Sequence, residues 1–181
     1  MMLPEYIPPP GLVYWFTEEE KQEAEERAKK IPIKKDSIVA GAGRIFGALG
    51  EIAVRETCFV RFGIEVDDHP NFDWDLKIAD QRVDVKSKVT NYEPDESWEA
   101  SVCNYNTHQD CDYYCFVRVF GDKSRAYILG VMRKDLFYDS AYFVRLGEKH
   151  ENGWECKADC WNVKISILSP LETLWEKRSG S

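Results

Sequence analysis

No apolar run in the 181-residue sequence comes near the ~18 residues that a bilayer-spanning helix needs. The opening Met1-Met2-Leu3-Pro4-Glu5 lacks the basic start and apolar core of a secretory leader. No membrane partner is expected, and a cytoplasmic location is (host cytoplasm for a phage-encoded protein). An excess of positive charge is missing too: 24 Lys and Arg against 32 Asp and Glu leave a net charge of −8. That disfavours a protein that coats nucleic acid indiscriminately, since such binding draws on net positive surface, but it leaves room for a local basic cleft. Repeats and low-complexity linkers are absent. With 44% hydrophobic and 31% charged residues the balance is globular, and the length suits one domain over 1–181.

Cysteine is not scarce, yet Cys58, Cys103, Cys111, Cys115, Cys156 and Cys160 are spread along a chain long enough to build a core without staples. Reduced thiols are expected. The pairs Cys111/Cys115 and Cys156/Cys160 leave three residues between ligands, a poorer chelate on an extended chain than the two-residue spacing of zinc knuckles.

Four of the eight prolines fall in residues 1–16 together with Tyr6, Tyr14, Trp15 and Phe16, which predicts an extended arm packed on the domain. Thr17-Glu18-Glu19-Glu20 is a capping box for a surface helix reaching Lys30 and ending at Pro32. From Arg44 to about Val60, the residues Ile45, Ala48, Leu49, Ile52 and Ala53 recur with helical spacing and predict a buried helix. Alternating segments follow at 64–67, 73–79, 82–89, 98–102, 112–120 and 125–131, each read as a strand. Ser169-Pro170-Leu171-Glu172 predicts a short terminal helix. The fold class is α/β or α+β, a central mixed sheet flanked by helices.

The hairpin segments Asp73–Ile78 and Arg82–Lys88, joined at 79–81, sort by strand parity. Trp74, Leu76 and Ile78 share a face, as do Val83, Val85 and Val89; Asp73, Asp75 and Lys77 oppose the first set, and Asp84, Lys86 and Lys88 the second. Alignment of the apolar faces makes Asp75 and Asp84 meet with Lys86 beside them, where carboxylates repel and call for a cation. Hard oxygen ligands suit Mg²⁺ or Mn²⁺. Glu51, at the edge of the helical stripe, adds a third carboxylate. Gly47 and Gly50 beside it each cost about 1 kcal/mol relative to alanine, which points to a close approach by another backbone or a ligand on that side.

Gly50-Glu51 on a helix, Asp75 on a strand and Asp84-Val85-Lys86 on the next resemble the PD-(D/E)xK superfamily of restriction-endonuclease-like nucleases, with Trp74 in place of the nominal proline. Cys111–Val119 looks like the core strand that often follows, and Tyr127-Ile128-Leu129-Gly130 is similar to small phage-borne members. The resemblance implies a catalytic core over 44–131 and an accessory part over 132–181. Glu51, Asp75, Asp84 and the Val85 carbonyl would hold one or two divalent ions that activate water and stabilise the leaving oxygen. Lys86 would sit by the attacking water as a positioning cation rather than a general base. DNA, branched and single-stranded forms included, is the implied substrate in phage or prokaryotic DNA processing, with a homodimer where both strands are cut.

Blander readings accompany each residue. An Asp-x-Lys arises by chance in a charged chain on a solvated strand face, and Glu51 has Arg55 four residues on as an ion-pair partner. Lys88 is either a phosphate contact or a solvated lysine; Gln109 is either a substrate contact or an ordinary loop residue. His69, among Asp67 and Asp68, fits a turn better than a metal ligand. Trp98, Tyr105, Tyr113 and Tyr114 either stack bases or fill the core. Two other functions remain open: a non-catalytic nucleic-acid-binding module on the same fold, and an acidic scaffold for basic protein partners.

Overall fold

Thr17 starts the first helix as its spacing from Glu20 predicts. In the computed structural model, which describes residues 10–31, 42–68, 73–149, 153 and 155–176, this cap is complete. The Glu20 N–H donates to the Thr17 hydroxyl at 3.2 Å, and the Thr17 N–H donates to the Glu20 carboxylate at 2.9 Å. Helix α1 (Glu18–Lys30) has acids in its first turn and bases in its last, with Ala24 buried. The expected stop at Pro32 lies outside the described residues, as do residues 1–9 of the arm. Helix α2 (Ala42–Glu56) continues into a π-helical stretch, Thr57–Arg61. Its stripe of Ala48, Leu49, Ile52 and Ala53 is buried, with Ile45 packed at its margin.

The main sheet joins β1 (Leu12–Trp15), β2 (Val66–Asp67), β3 (Leu76–Ile78), β4 (Gln81–Thr90), β6 (Tyr113–Phe120) and β7 (Arg125–Arg133) in the order β1-β7-β6-β4-β3-β2. A smaller sheet, in the order β5-β9-β8, comprises β5 (Glu99–Cys103), β8 (Tyr142–Val144) and β9 (Cys160–Lys164). With helix α3 (Lys134–Ser140), the described residues form a mixed α+β fold with three helices. Strands β4 and β6 pair parallel, whereas the other main-sheet pairs are antiparallel. The parallel pair requires a crossover, and β5 lies within it.

Parity divides the interior in two. Val83, Val85, Cys115, Val117 and Ile128 face α2, and Tyr114, Phe116, Tyr127 and Leu129 face Ala100, Val102 and Val163 of the small sheet and Phe137 of α3. Cys111 and Cys115 therefore enter different cores and share no site; all six cysteines are free thiols. Two expectations at the ends of the chain change. Part of the N-terminal arm is the edge strand β1, paired with β7 from Leu12↔Ile128 to Trp15↔Arg125. The terminal helix reduces to a 3₁₀ turn, Leu171–Leu174, because the Ser169 backbone is bonded to Val131 in both directions, at 2.8 and 2.9 Å, instead of opening a helix. Strands β8 and β9 and helix α3 have no counterpart in the sequence reading.

The two helical glycines separate. A Cβ on Gly50 would come 1.9 Å from the Ser87 hydroxyl oxygen and 3.1 Å from its Cβ, so this glycine lets α2 lie against β4. A Cβ on Gly47 would meet nothing within 4 Å among the described residues, so no described backbone makes the close approach expected there. Gly47→Ala is accordingly expected to raise stability by up to about 1 kcal/mol through helix propensity. Gly50→Val should lower it by about 1–3 kcal/mol through overpacking. Urea denaturation of both variants checks the contrast in sign.

Candidate active site

The hairpin fixes the centre of the site. Ala79 and Asp80, with φ of 48° and 66°, make the two-residue turn that matches strand twist and sets the register Leu76↔Val83, Lys77↔Arg82 and Ile78↔Gln81. Asp75 lies in a bend just before β3 rather than on the strand expected for it, and from there it reaches β4. The Asp75 N–H donates to the Val83 carbonyl at 3.0 Å, and the Asp75 carboxylate accepts the Val85 N–H at 2.7 Å. Asp84 is 3% exposed, so its face is no solvated strand surface; the small sheet and the 104–112 loop cover it.

Lys86 makes an ion pair with Asp84. Its ammonium also donates to Gln109 Oε1 at 2.9 Å, and Gln109 Nε2 donates to Asp84 Oδ1 at 3.1 Å. Gln109 is thus no ordinary loop residue. It is 8% exposed and bridges Asp84 and Lys86. The loop that carries it is pinned on three sides. Arg82 pairs with Asp110 and Asp112, both at 2.9 Å, the Asp110 N–H donates to the Asp73 carboxylate at 3.1 Å, and Lys134 donates to the Gln109 carbonyl.

Glu51 enters from α2, which the Gly50 contact holds against β4. Its cationic neighbour is Arg27 of α1 at 3.6 Å, whereas Arg55 pairs with Glu23, Glu56 and Asp68, so the expected ion pair four residues on is replaced. Sequence reasoning missed Arg27, because the two helices meet only in the folded chain. Asp68 also pairs with Arg27; burial pushes its carboxyl up, but the two arginines outweigh that and hold it below its usual value. It is an ion-pair anchor in this arrangement, and His69 lies outside the described residues.

Burial pushes Glu51 up to about 8, helped by the charges of Asp75, Asp68 and Asp84 and opposed by Arg27. Burial and the Asp84 charge push Asp75 up to about 7, against the Val85 N–H and Lys86. Asp84 is also raised by burial, although Lys86 and Gln109 favour its ionised form. Asp75 and Asp84 hydrogen-bond to each other, with the shared proton favouring Asp75. Carboxylates that burial and repulsion keep protonated near neutrality are candidates for a functional site.

No family model matches the chain, and no match is found among curated proteins. Residue chemistry must therefore carry the assignment. The donors are hard oxygens of the type that hold Mg²⁺ or Mn²⁺. Among the described residues, however, no group of three or more His, Cys, Asp or Glu is gathered as a ready metal site. The reason is visible in the contacts: Lys86 stands on Asp84, the Val85 N–H on Asp75, and Arg27 beside Glu51. A divalent ion fits the donor chemistry and would take over the place of protons and of the Lys86 contact.

The remaining candidates disperse. Lys88 is half-buried on the Lys86 face. Tyr114 is in the core, Trp98 and Tyr113 pack at core margins, and Tyr105 is exposed. No described helix is long and apolar enough to cross a membrane.

The raised carboxyls set a pH dependence. Glu51 and Asp75 hold protons in the folded state above their ordinary values of 4.5 and 3.8, so the native chain binds more protons than the unfolded one. Stability of the metal-free protein is then expected to fall as pH rises from about 4 to about 8 and to level off above. Glu51→Gln should flatten this fall and melt above wild type at the alkaline end, as melting curves recorded in chelator will show.

Proposed function

We propose that the chain is a metal-dependent nuclease that hydrolyses phosphodiester bonds of DNA. The observation that carries this reading is the meeting of Asp75 and Asp84 on one buried face, with Lys86 on Asp84 and Glu51 close enough to be raised by both. Structural ion pairs are rarely built from three carboxylates and one lysine in so small a space, because their repulsion needs a further cation. A restriction-endonuclease-like core is part of the proposal. It is supported by the β3–β4 hairpin, the parallel partner β6 with antiparallel β7 beyond it, and a helix bearing Glu51 packed on the sheet.

Asp75, Asp84, Glu51 and the Val85 carbonyl would hold the ion. When bound, a divalent ion polarises a phosphoryl oxygen and makes a water more acidic. The chain's own groups have separate tasks. The Val85 N–H fixes the orientation of Asp75, and Gln109 holds the Asp84 carboxylate by one oxygen. Lys86, once released from Asp84, keeps its Gln109 contact and presents positive charge to the attacking water and the phosphate. Arg27 offsets part of the charge on Glu51 before metal arrives. Cutting both strands of a duplex in one event would call for a second copy of the chain.

The test is cleavage of supercoiled, linear, single-stranded and branched DNA with Mg²⁺ or Mn²⁺ and with chelator. Metal-dependent cleavage of at least one substrate is expected, with Asp84→Asn and Lys86→Met each falling below detection. Lys86→Met also strands a buried carboxylate, so its folding is to be checked by cooperative melting. Binding without cleavage in either metal would favour a non-catalytic nucleic-acid module instead. Cleavage at wild-type rate by Asp84→Asn would remove the assignment.

A further inference from the structure

Strand β9 is the middle strand of the small sheet, and its first residue, Cys160, stands opposite Cys103 of β5 and Val144 of β8. Shortly before it the chain lies against the turn that follows β8. The Gly147 N–H donates to the Cys156 carbonyl at 2.8 Å, and the Cys156 N–H donates to the Glu148 carbonyl at 2.9 Å. Both cysteine backbones are thereby held, and their sulfurs meet at 3.4 Å. The Cys156 thiol also donates to the Ala158 carbonyl at 2.8 Å, and the Asn162 amide donates to the Cys160 sulfur at 3.4 Å.

These two thiols lie shallow. Cys58, Cys111 and Cys115 serve as apolar bulk in the two main cores, whereas Cys156 and Cys160 share a separate small cluster with Val144. Residues 145–149, 155, 157 and 159 around them are exposed. A patch with so few apolar contacts opens locally at small cost, which admits a small oxidant to sulfurs buried in the closed form. A metal ion suits the place less well. Burial and the Arg118 charge pull Lys88 down while the Cys160, Cys103 and Cys156 thiols oppose them, so an ammonium already shares their space. Burial pushes the Cys160 thiol up to about 11, with the Asn162 contact and the Lys88 charge acting the other way. A neighbouring ammonium repels a metal ion and favours a thiolate, the form of cysteine that reacts.

We propose that Cys156 and Cys160 are a redox couple that closes to a disulfide when the protein meets a peroxide. The Cys160 thiolate takes one oxygen of hydrogen peroxide as its sulfenic acid, and hydroxide leaves with the other. The Cys156 sulfur then attacks the sulfenic sulfur, the S–O bond breaks, and the departing hydroxide takes up a proton. Two thiols give up two electrons and two protons, and one peroxide becomes two waters. A dithiol reverses the bond by exchange and becomes a disulfide itself. The closed loop over 156–160 ties the turn after β8 to the middle strand of the sheet that covers Asp84. Nothing in this step draws on the nuclease reading of the carboxylates.

In the experiment, the full chain is purified reduced, treated with excess hydrogen peroxide under native conditions, quenched in acid, alkylated and mapped by peptide mass spectrometry. The expected product is an intramolecular Cys156–Cys160 disulfide with the other thiols still open to alkylation, a melt as cooperative as that of the reduced protein, and full recovery of thiols with dithiothreitol. Cys103→Ser should form the same bond. Cys156→Ser should form none and leave Cys160 as a sulfenic acid that dimedone traps; if that variant fails to fold, the wild-type map makes the decision. Absence of the disulfide in folded protein overturns the proposal, as does a Cys103–Cys160 bridge or a bond that appears only when cooperative melting is lost. Zinc that stays through purification and is released by peroxide would assign the thiols to a metal and overturn it too. Cleavage is not among the readouts, so the nuclease reading stands or falls separately.

Discussion

Two carboxylates facing one another in a place that excludes most water are the constraint around which this chain is arranged. Asp75 and Asp84 come together because the bend before β3 is bonded to Val83 and Val85 on either side of Asp84, and the resulting repulsion is met by a shared proton, the Val85 N–H, Lys86 and Gln109. Each contact is weaker as compensation than a divalent ion would be. The resting arrangement is therefore a lysine-covered group of carboxylates whose burial favours their protonated forms.

Much of the surrounding structure keeps those groups in place. Gly50 lets α2 settle on Ser87, which brings Glu51 to the carboxylates. Arg27 and Arg55 tie α1 and α2 to Asp68, just before the chain turns toward the hairpin. Arg82 and Lys134 hold the loop that delivers Gln109, and the small sheet closes the face beyond Lys86. The crossover between the parallel strands β4 and β6 carries β5 of that sheet, so the connection that pairs the two strands also covers the site.

Helical spacing and strand parity made the centre legible. The 3.6-residue stripe of α2, the Thr17 cap and the alternation through Asp84 and Lys86 are local patterns, and local patterns survive into the fold. What was illegible depends on distant contacts. Arg27 reaches Glu51 only because α1 packs on α2, and Gln109 reaches Asp84 across 25 positions. Asp84 reads as a solvated face because alternation cannot reveal a second sheet lying over it. At Ser169 a good capping sequence lost to pairing with Val131, a tertiary contact that propensity does not foresee.

The central claim is that these carboxylates take a divalent cation, and calorimetric titration with Mn²⁺ addresses it without requiring a substrate. At about pH 6.5, below the values to which Glu51 and Asp75 are raised, binding is expected to release protons, seen as a dependence of the heat on buffer ionisation enthalpy. Asp84→Asn should weaken that binding by about tenfold or more. Mn²⁺ binding that is absent from the wild type, or equal in Asp84→Asn with no proton release, would contradict the account.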